Sequence, residues 1–320
     1  MARRRLIERM KLATERPVST NDDRVPRVHF PDVAIVIVIG VLIALLYVPL
    51  VYWLGWMTLH RQQLANGALL VVIALAICVR DAVGKLRLQP QFGSLGVSLL
   101  ALGLLYLWLA GRSRVWLLPL VLLSLCFAFA AIMSFLFGKQ GARHFVPALG
   151  AFFVFGVLVG LFPRLDWPLR TIAGQYAGGL LSSMGVPVRL ALAEGQPPQL
   201  LLAVKGQIYE VATECNGFGL LMSSLIVATV LAFQYRMPGL SKLGLLALAV
   251  PVAIVCNFLR IVSICLVAPR VSLPYGFVHE ALGLIFYFLG LGLVWKIAGA
   301  HETRRDVPAQ TRHADWVSWR

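Results

Sequence analysis

The chain has 320 residues, 59% of them hydrophobic and only 13% charged, with 28 Gly and 17 Pro. That balance lies far from the soluble average and points to an all-α polytopic membrane protein. The formal net charge of +15 is carried by tails and short loops, as membrane orientation requires, which argues against nucleic acid as a partner.

Taken in chain order, residues 1–32 are a polar tail with Arg3, Arg4, Arg5, Arg9 and Lys11. The first apolar block behind it is long enough to stay in the membrane rather than be cleaved as a signal peptide. A requirement of roughly 20 apolar residues per helix predicts about eight spans. They run Val33–Leu54, Leu64–Val79, Leu95–Ala110, Val115–Phe137, Phe145–Phe162, Gly217–Phe233, Leu243–Val267 and Phe277–Ile297. The second is short, and the sidedness of every later residue depends on it. With both termini cytoplasmic, the inner connections are each basic: Arg80, Lys85 and Arg87, then Lys139 and Arg143, then Arg236 and Lys242. The positive-inside rule favours that arrangement, and the cell (inner, cytoplasmic) membrane is the expected location.

One connection differs from the rest. Residues 163–214 are predicted on the outer face and are not loop-like in composition. Trp167–Met184 reads as an amphipathic helix resting on the outer leaflet. Val186–Leu192, Leu200–Val204 and Gln207–Val211 follow as short β-type runs, a hairpin or meander separated by turn residues. Long ordered loops in a compact protein usually serve function. The expected organisation is therefore a basic tail (1–32), a five-span region (33–162), a small extracytoplasmic subdomain (163–214), a three-span core (215–297) and a second basic tail (298–320).

The five cysteines, at 78, 126, 215, 256 and 265, show no C-x-x-C and no metal-ligand spacing, so neither a disulfide framework nor a zinc site is expected. Cys215 stands apart, in the polar run Glu214-Cys215-Asn216-Gly217 at the start of the sixth span. A helix N-terminus lowers a thiol pKa and favours the nucleophilic thiolate, and Thr213 is a candidate N-cap. Position alone still favours an inert membrane cysteine. Arg260 falls late in the seventh span, with Cys256 and Asn257 four and three residues before it on roughly the same face. A charge there costs roughly 2.5–3.5 kcal/mol at a helix centre, so it either snorkels to the headgroups or serves an interior site. His279 opens the eighth span; by itself it reads as an interfacial anchor. The topology brings Cys215, Arg260 and His279 to one face, and that convergence is the signal. A thiol attacks a carbonyl, a histidine moves the proton, and a guanidinium stabilises the oxyanion. Glu214 and Glu280 are candidates to orient His279 or Arg260, although surface solvation explains them equally well.

Glu214-Cys215-Asn216-Gly217 before a span, Asn257-x-x-Arg260 in the next and His279 opening the last resemble the exosortase/archaeosortase family. The resemblance covers mainly residues 165–297. It implies a membrane cysteine protease or transpeptidase with Cys215 as nucleophile, Arg260 stabilising the intermediate and His279 as general acid/base. Asn216 and Asn257 are possible supporting residues, and no cofactor is implied. The implied partners are secreted proteins ending in a short motif, a transmembrane helix and a basic cluster, with a lipid or glycan as candidate acyl acceptor. Asn216 stands where members often carry a Ser or Thr.

The chief alternative is a transporter or channel with Asn257, Arg260 and His279 lining a polar path. It predicts polar groups at mid-depth in several helices, whereas the first five spans are almost wholly apolar. No H-E-x-x-H metalloprotease motif and no Asp-His-His-Cys run occurs. A rhomboid-like serine protease would need a placed nucleophile, and Ser182 and Ser183 fall in the outer segment. A purely structural role leaves the gathered Cys, Arg and His unexplained.

Overall fold

The computed structural model describes residues 30–88, 90–113, 115–193, 199–204, 207–210 and 216–306. Thr213, Glu214 and Cys215 lie outside the described residues, as do most of both basic tails. Eight α-helices are described: α1 Phe30–Leu59, α2 Gln62–Ala82, α3 Ser94–Arg112, α4 Leu117–His144, α5 Val146–Ser183, α6 Phe218–Gln234, α7 Gly239–Val267 and α8 Tyr275–Asp306. Each overlaps one of the eight apolar blocks. Seven of them are long and apolar enough to cross a membrane, α2 included, and α6 is a shorter apolar helix of 17 residues. The protein is a multi-pass, almost entirely helical membrane protein. Many of its exposed side chains are large and apolar, among them Leu45, Val72 and Trp108, as a lipid surface requires.

The apolar pattern also marks where helices break. The fourth block ends at Phe137, and the backbone of α4 leaves helical geometry at the next residue, Gly138 (φ 65°, ψ −162°). Only glycine takes that conformation without strain.

The fifth block behaves differently from expectation. Residues 163–183 are not a separate helix lying on the surface; α5 continues without interruption through Pro163 and Pro168 to Ser183, 38 residues in all. At a rise of about 1.5 Å per residue it is about 57 Å long. Proline removes a backbone donor and crowds the preceding turn, which is why the sequence reads as a boundary there. Both prolines lie on the exposed face, with Trp167, while Phe162 and Arg170 face inward. A helix carrying prolines on its solvent side curves away from them, convex toward solvent. The inward face is held across the second proline by an ion pair between Asp166 and Arg170, one turn apart. α5 then stops in a Schellman turn: Gly185 adopts φ 75° and Val186 N–H reaches back to the Leu181 carbonyl at 3.0 Å.

The β-type runs form a three-stranded antiparallel meander, β1 Val188–Ala193, β2 Gln199–Val204 and β3 Gln207–Glu210, in the order β1-β2-β3. Val188 pairs with Val204, and Leu202 with Tyr209. One face of the sheet closes a core with the α5 extension and the end of α7. There Ala173, Ala177 and Leu181 meet Leu202, Val204 and Tyr209, and Ile261, Val262 and Cys265 complete the cluster. A second core lies where α6 crosses α2 and α5, through Leu64, Phe155, Phe162, Phe218 and Met222. The sheet and the extended half of α5 are thus docked on the same end of the bundle at which α6 begins.

Candidate active site

Four helix segments converge at one end of the bundle: the starts of α2, α6 and α8 and the last third of α7. Between them is a cavity of about 410 Å³, lined by Gln62, Gln63 and Asn66 of α2, Gly217, and Asn257, Arg260, His279 and Glu280. Leu69, Leu220, Leu284 and Phe288 give it apolar walls as well. A second cavity, of about 460 Å³, lies among α3, α4 and α5 and is apolar except for Lys139 and Arg143. None of the sequence-derived site residues lines it.

The nearest described residue to Cys215 is Asn216, and it is 2% exposed. Its side chain works in two directions. Oδ1 accepts the Phe218 N–H at 2.7 Å, closing an Asx-type turn before α6. Nδ2 donates to Asp166 Oδ1 at 2.6 Å. Asp166 is gripped by Arg170, whose Nε donates to Oδ1 at 3.1 Å and Nη2 to Oδ2 at 2.7 Å. Such a bidentate fork is the strong form of an Arg–carboxylate pair. Gly217, next in the turn, takes φ 78°. A Cβ there would lie 2.6 Å from Asn257 Cγ, so glycine is demanded by conformation and by space together. The turn is therefore pressed between α5 and α7.

On the other wall, Arg260 Nη2 lies 3.2 Å from His279 Nε2. A guanidinium has only donors, so the contact requires Nε2 to accept and the imidazole to be neutral with its proton on Nδ1. Nδ1 lies 3.9 Å from Glu280 Oε1, whose side chain is 78% exposed. That contact is long and solvated, so it orients the ring weakly. The Tyr275 ring lies 5.9 Å from the imidazole and 6.0 Å from Tyr209 of β3, linking the sheet to this wall. Arg260 lies flat against α8 because Gly283 presents no side chain: a Cβ there would be 3.0 Å from Nη2 and 3.2 Å from Cζ.

The structure thus joins Arg260 to His279 directly, places Asn257 against the Asn216–Gly217 turn, and leaves Glu280 at the solvated edge. Asp166, Arg170 and Gly283 were not among the residues singled out in the sequence. The signal for the first two was present, an Asp–Arg pair at helical i,i+4 spacing, but it was flanked by prolines. Gly283 carries a weaker one, a glycine one turn after His279.

Comparison with curated proteins and with solved structures finds no match. The family model described as transmembrane exosortase matches residues 43–296, from within α1 to near the end of α8 and across every residue of the site. The chain belongs to the transmembrane exosortase family, multi-pass membrane enzymes of protein sorting.

Proposed function

We propose that the chain is a cysteine protease or transpeptidase that cleaves the C-terminal sorting signals of secreted, membrane-anchored proteins. Cys215 Sγ attacks the scissile carbonyl carbon, and the electrons pass to the carbonyl oxygen. Arg260 stabilises that oxyanion. Collapse breaks the C–N bond, His279 gives the leaving amine a proton, and a thioester joins the substrate to Cys215. Water, or a lipid or glycan hydroxyl, then attacks the thioester and releases the thiol. The basic inner loops support an extracytoplasmic site in the cell membrane.

The observation that carries the reading is the Arg260–His279 contact at 3.2 Å, in a cavity also lined by Gly217, two residues after Cys215. The contact adds a mechanistic coupling. It exists only while His279 is neutral. When His279 takes the thiol proton it can no longer accept from Arg260, and the guanidinium is released for the oxyanion. Proton transfer and oxyanion stabilisation then occur in concert.

The test is processing of a co-expressed membrane protein that ends in an apolar helix and a basic cluster. Cys215→Ala and Arg260→Ala are expected to abolish cleavage while the enzyme accumulates normally in the membrane. Full processing by Cys215→Ala refutes the nucleophile assignment. A tag at Lys205 that reports a cytoplasmic location refutes the sidedness.

A further inference from the structure

The best-defined polar network in the described residues is not the Arg260–His279 pair but the one on the opposite side of the Asn216–Gly217 turn. Asp166 and Arg170 sit on the inward face of the α5 extension. Their side chains are 23% and 6% exposed, so the pair has given up most of its hydration. Replacing a pair like this by apolar residues is often neutral or stabilising, so fold stability alone does not explain its presence. Its geometry points to another use. A carboxylate offers about four lone-pair sites. Asp166 uses three, two for the Arg170 fork and one for Asn216 Nδ2. Asn216 passes the constraint on by accepting the Phe218 N–H. A continuous hydrogen-bonded chain therefore runs from the body of α5 to the first turn of α6. Asn257 backs the turn from α7, leaving no space at Gly217 for even a methyl group.

We infer that Asp166, held by Arg170, is the positioning residue for the turn that follows Cys215. The inference rests on the reading of Cys215 as nucleophile and extends it to the residues that aim it. A misplacement of about 1 Å costs on the order of 100-fold in rate, and Cys215 is joined directly to the fixed turn through Asn216. The charged pair suits the task because the Arg170 fork fixes the carboxylate plane. An asparagine at 166 has the same shape, yet its amide NH2 would face the donors of Arg170 or of Asn216. Asp166→Asn is for that reason an informative change with little loss of packing.

The experiment uses the full chain in membranes and two readouts. Iodoacetamide alkylation is followed against pH, with Cys215→Ala giving the background from the other four cysteines. Turnover is followed with a detergent-solubilised protein ending in an apolar helix and a basic cluster. Asp166→Asn and Asn216→Ala should each lower kcat at least tenfold with KM unchanged, and each should move the Cys215 alkylation midpoint in the same direction. Because both act through one contact, the double variant should be no slower than the slower single. Arg170→Lys, a point donor in place of a fork, should fall between wild type and Arg170→Gln. If Asp166→Asn does not accumulate, Asn216→Ala and Arg170→Lys carry the same prediction. Wild-type turnover and alkylation in Asp166→Asn, alongside an inactive Cys215→Ala, overturn this inference alone, as does a double variant whose losses multiply. Processing by Cys215→Ala overturns the underlying reading and this inference with it.

Discussion

Gly217→Ala isolates the tightest contact at the site. The residue has φ 78° and ψ 1°, a left-handed conformation that costs a non-glycine residue roughly 1–2 kcal/mol. The added Cβ would also meet Asn257 at 2.6 Å (Cγ), 2.7 Å (Nδ2) and 2.9 Å (Cβ). Asn257 is 4% exposed and cannot swing away freely, so overpacking adds about 1–3 kcal/mol. Restricting the unfolded chain returns about 0.4–1 kcal/mol, leaving a net loss on the order of 2–4 kcal/mol. Gly185 supplies the control. It shares the backbone conformation at φ 75°, yet nothing lies within 4 Å of its would-be Cβ. Gly185→Ala should lose only the conformational part, about 1 kcal/mol. Thermal unfolding of both variants in one detergent gives the comparison, and Gly217→Ala should melt well below Gly185→Ala. Equal melting temperatures would falsify the crowding argument and with it the account of the turn as pressed between α5 and α7.

Other substitutions test separate parts of the structure. Gly283→Ala forces Arg260 Nη2 back by a few tenths of an ångström from its 3.0 Å limit; processing should fall modestly, and Gly283→Val should abolish it with the protein still in the membrane. Ser124 is fully buried, donates to the Gly103 carbonyl at 2.6 Å and receives the Tyr47 hydroxyl, tying α1, α3 and α4 together. Ser124→Ala strands the buried phenol and should destabilise by about 1–3 kcal/mol; adding Tyr47→Phe should recover part of the loss in thermal unfolding. Leu122 is fully buried beside Gly156, whose would-be Cβ lies 2.6 Å from it. Leu122→Ala should cost about 2–5 kcal/mol, and a loss under 1 kcal/mol would show that α4 and α5 collapse onto the gap.

Much of this architecture is legible in the sequence because a bilayer imposes so simple a rule. Apolar runs of sufficient length must be helices, and all eight appear where the runs are, including the short second one. Asn257, Arg260 and His279 are legible for the complementary reason, since a polar group in such a run is expensive enough to need an explanation. The α5 extension is not legible, because local rules count Pro163 and Pro168 as breakers while its continuity depends on distant contacts with the sheet and α7. The same holds for Asp166. Its i,i+4 partner is visible in the sequence, but its use depends on Asn216, fifty positions away. Gly283 is hidden differently, since the space it leaves matters only once Arg260 is known to lie against α8.

The short α6 explains why these groups meet below the ends of their neighbours. Its 17 residues span about 25 Å at about 1.5 Å per residue, roughly one turn less than a hydrocarbon core of about 30 Å. α7 runs on from Arg260 to Val267, about 10 Å further, and α8 begins at Tyr275, about 6 Å before His279. α5 continues about 25 Å past Asp166. The turn at Asn216–Gly217 therefore lies in a recess walled by longer helices, with the sheet docked beside it on α5 and the end of α7. In such a recess a guanidinium and an imidazole interact through a lower dielectric than at an open interface, and a developing oxyanion is stabilised more strongly. The direction of the Arg260 side chain is the one an interior polar site calls for. A snorkelling arginine would extend along α7 toward the helix end, whereas this one crosses to His279 on α8. Gly283 leaves the space in which it lies against α8.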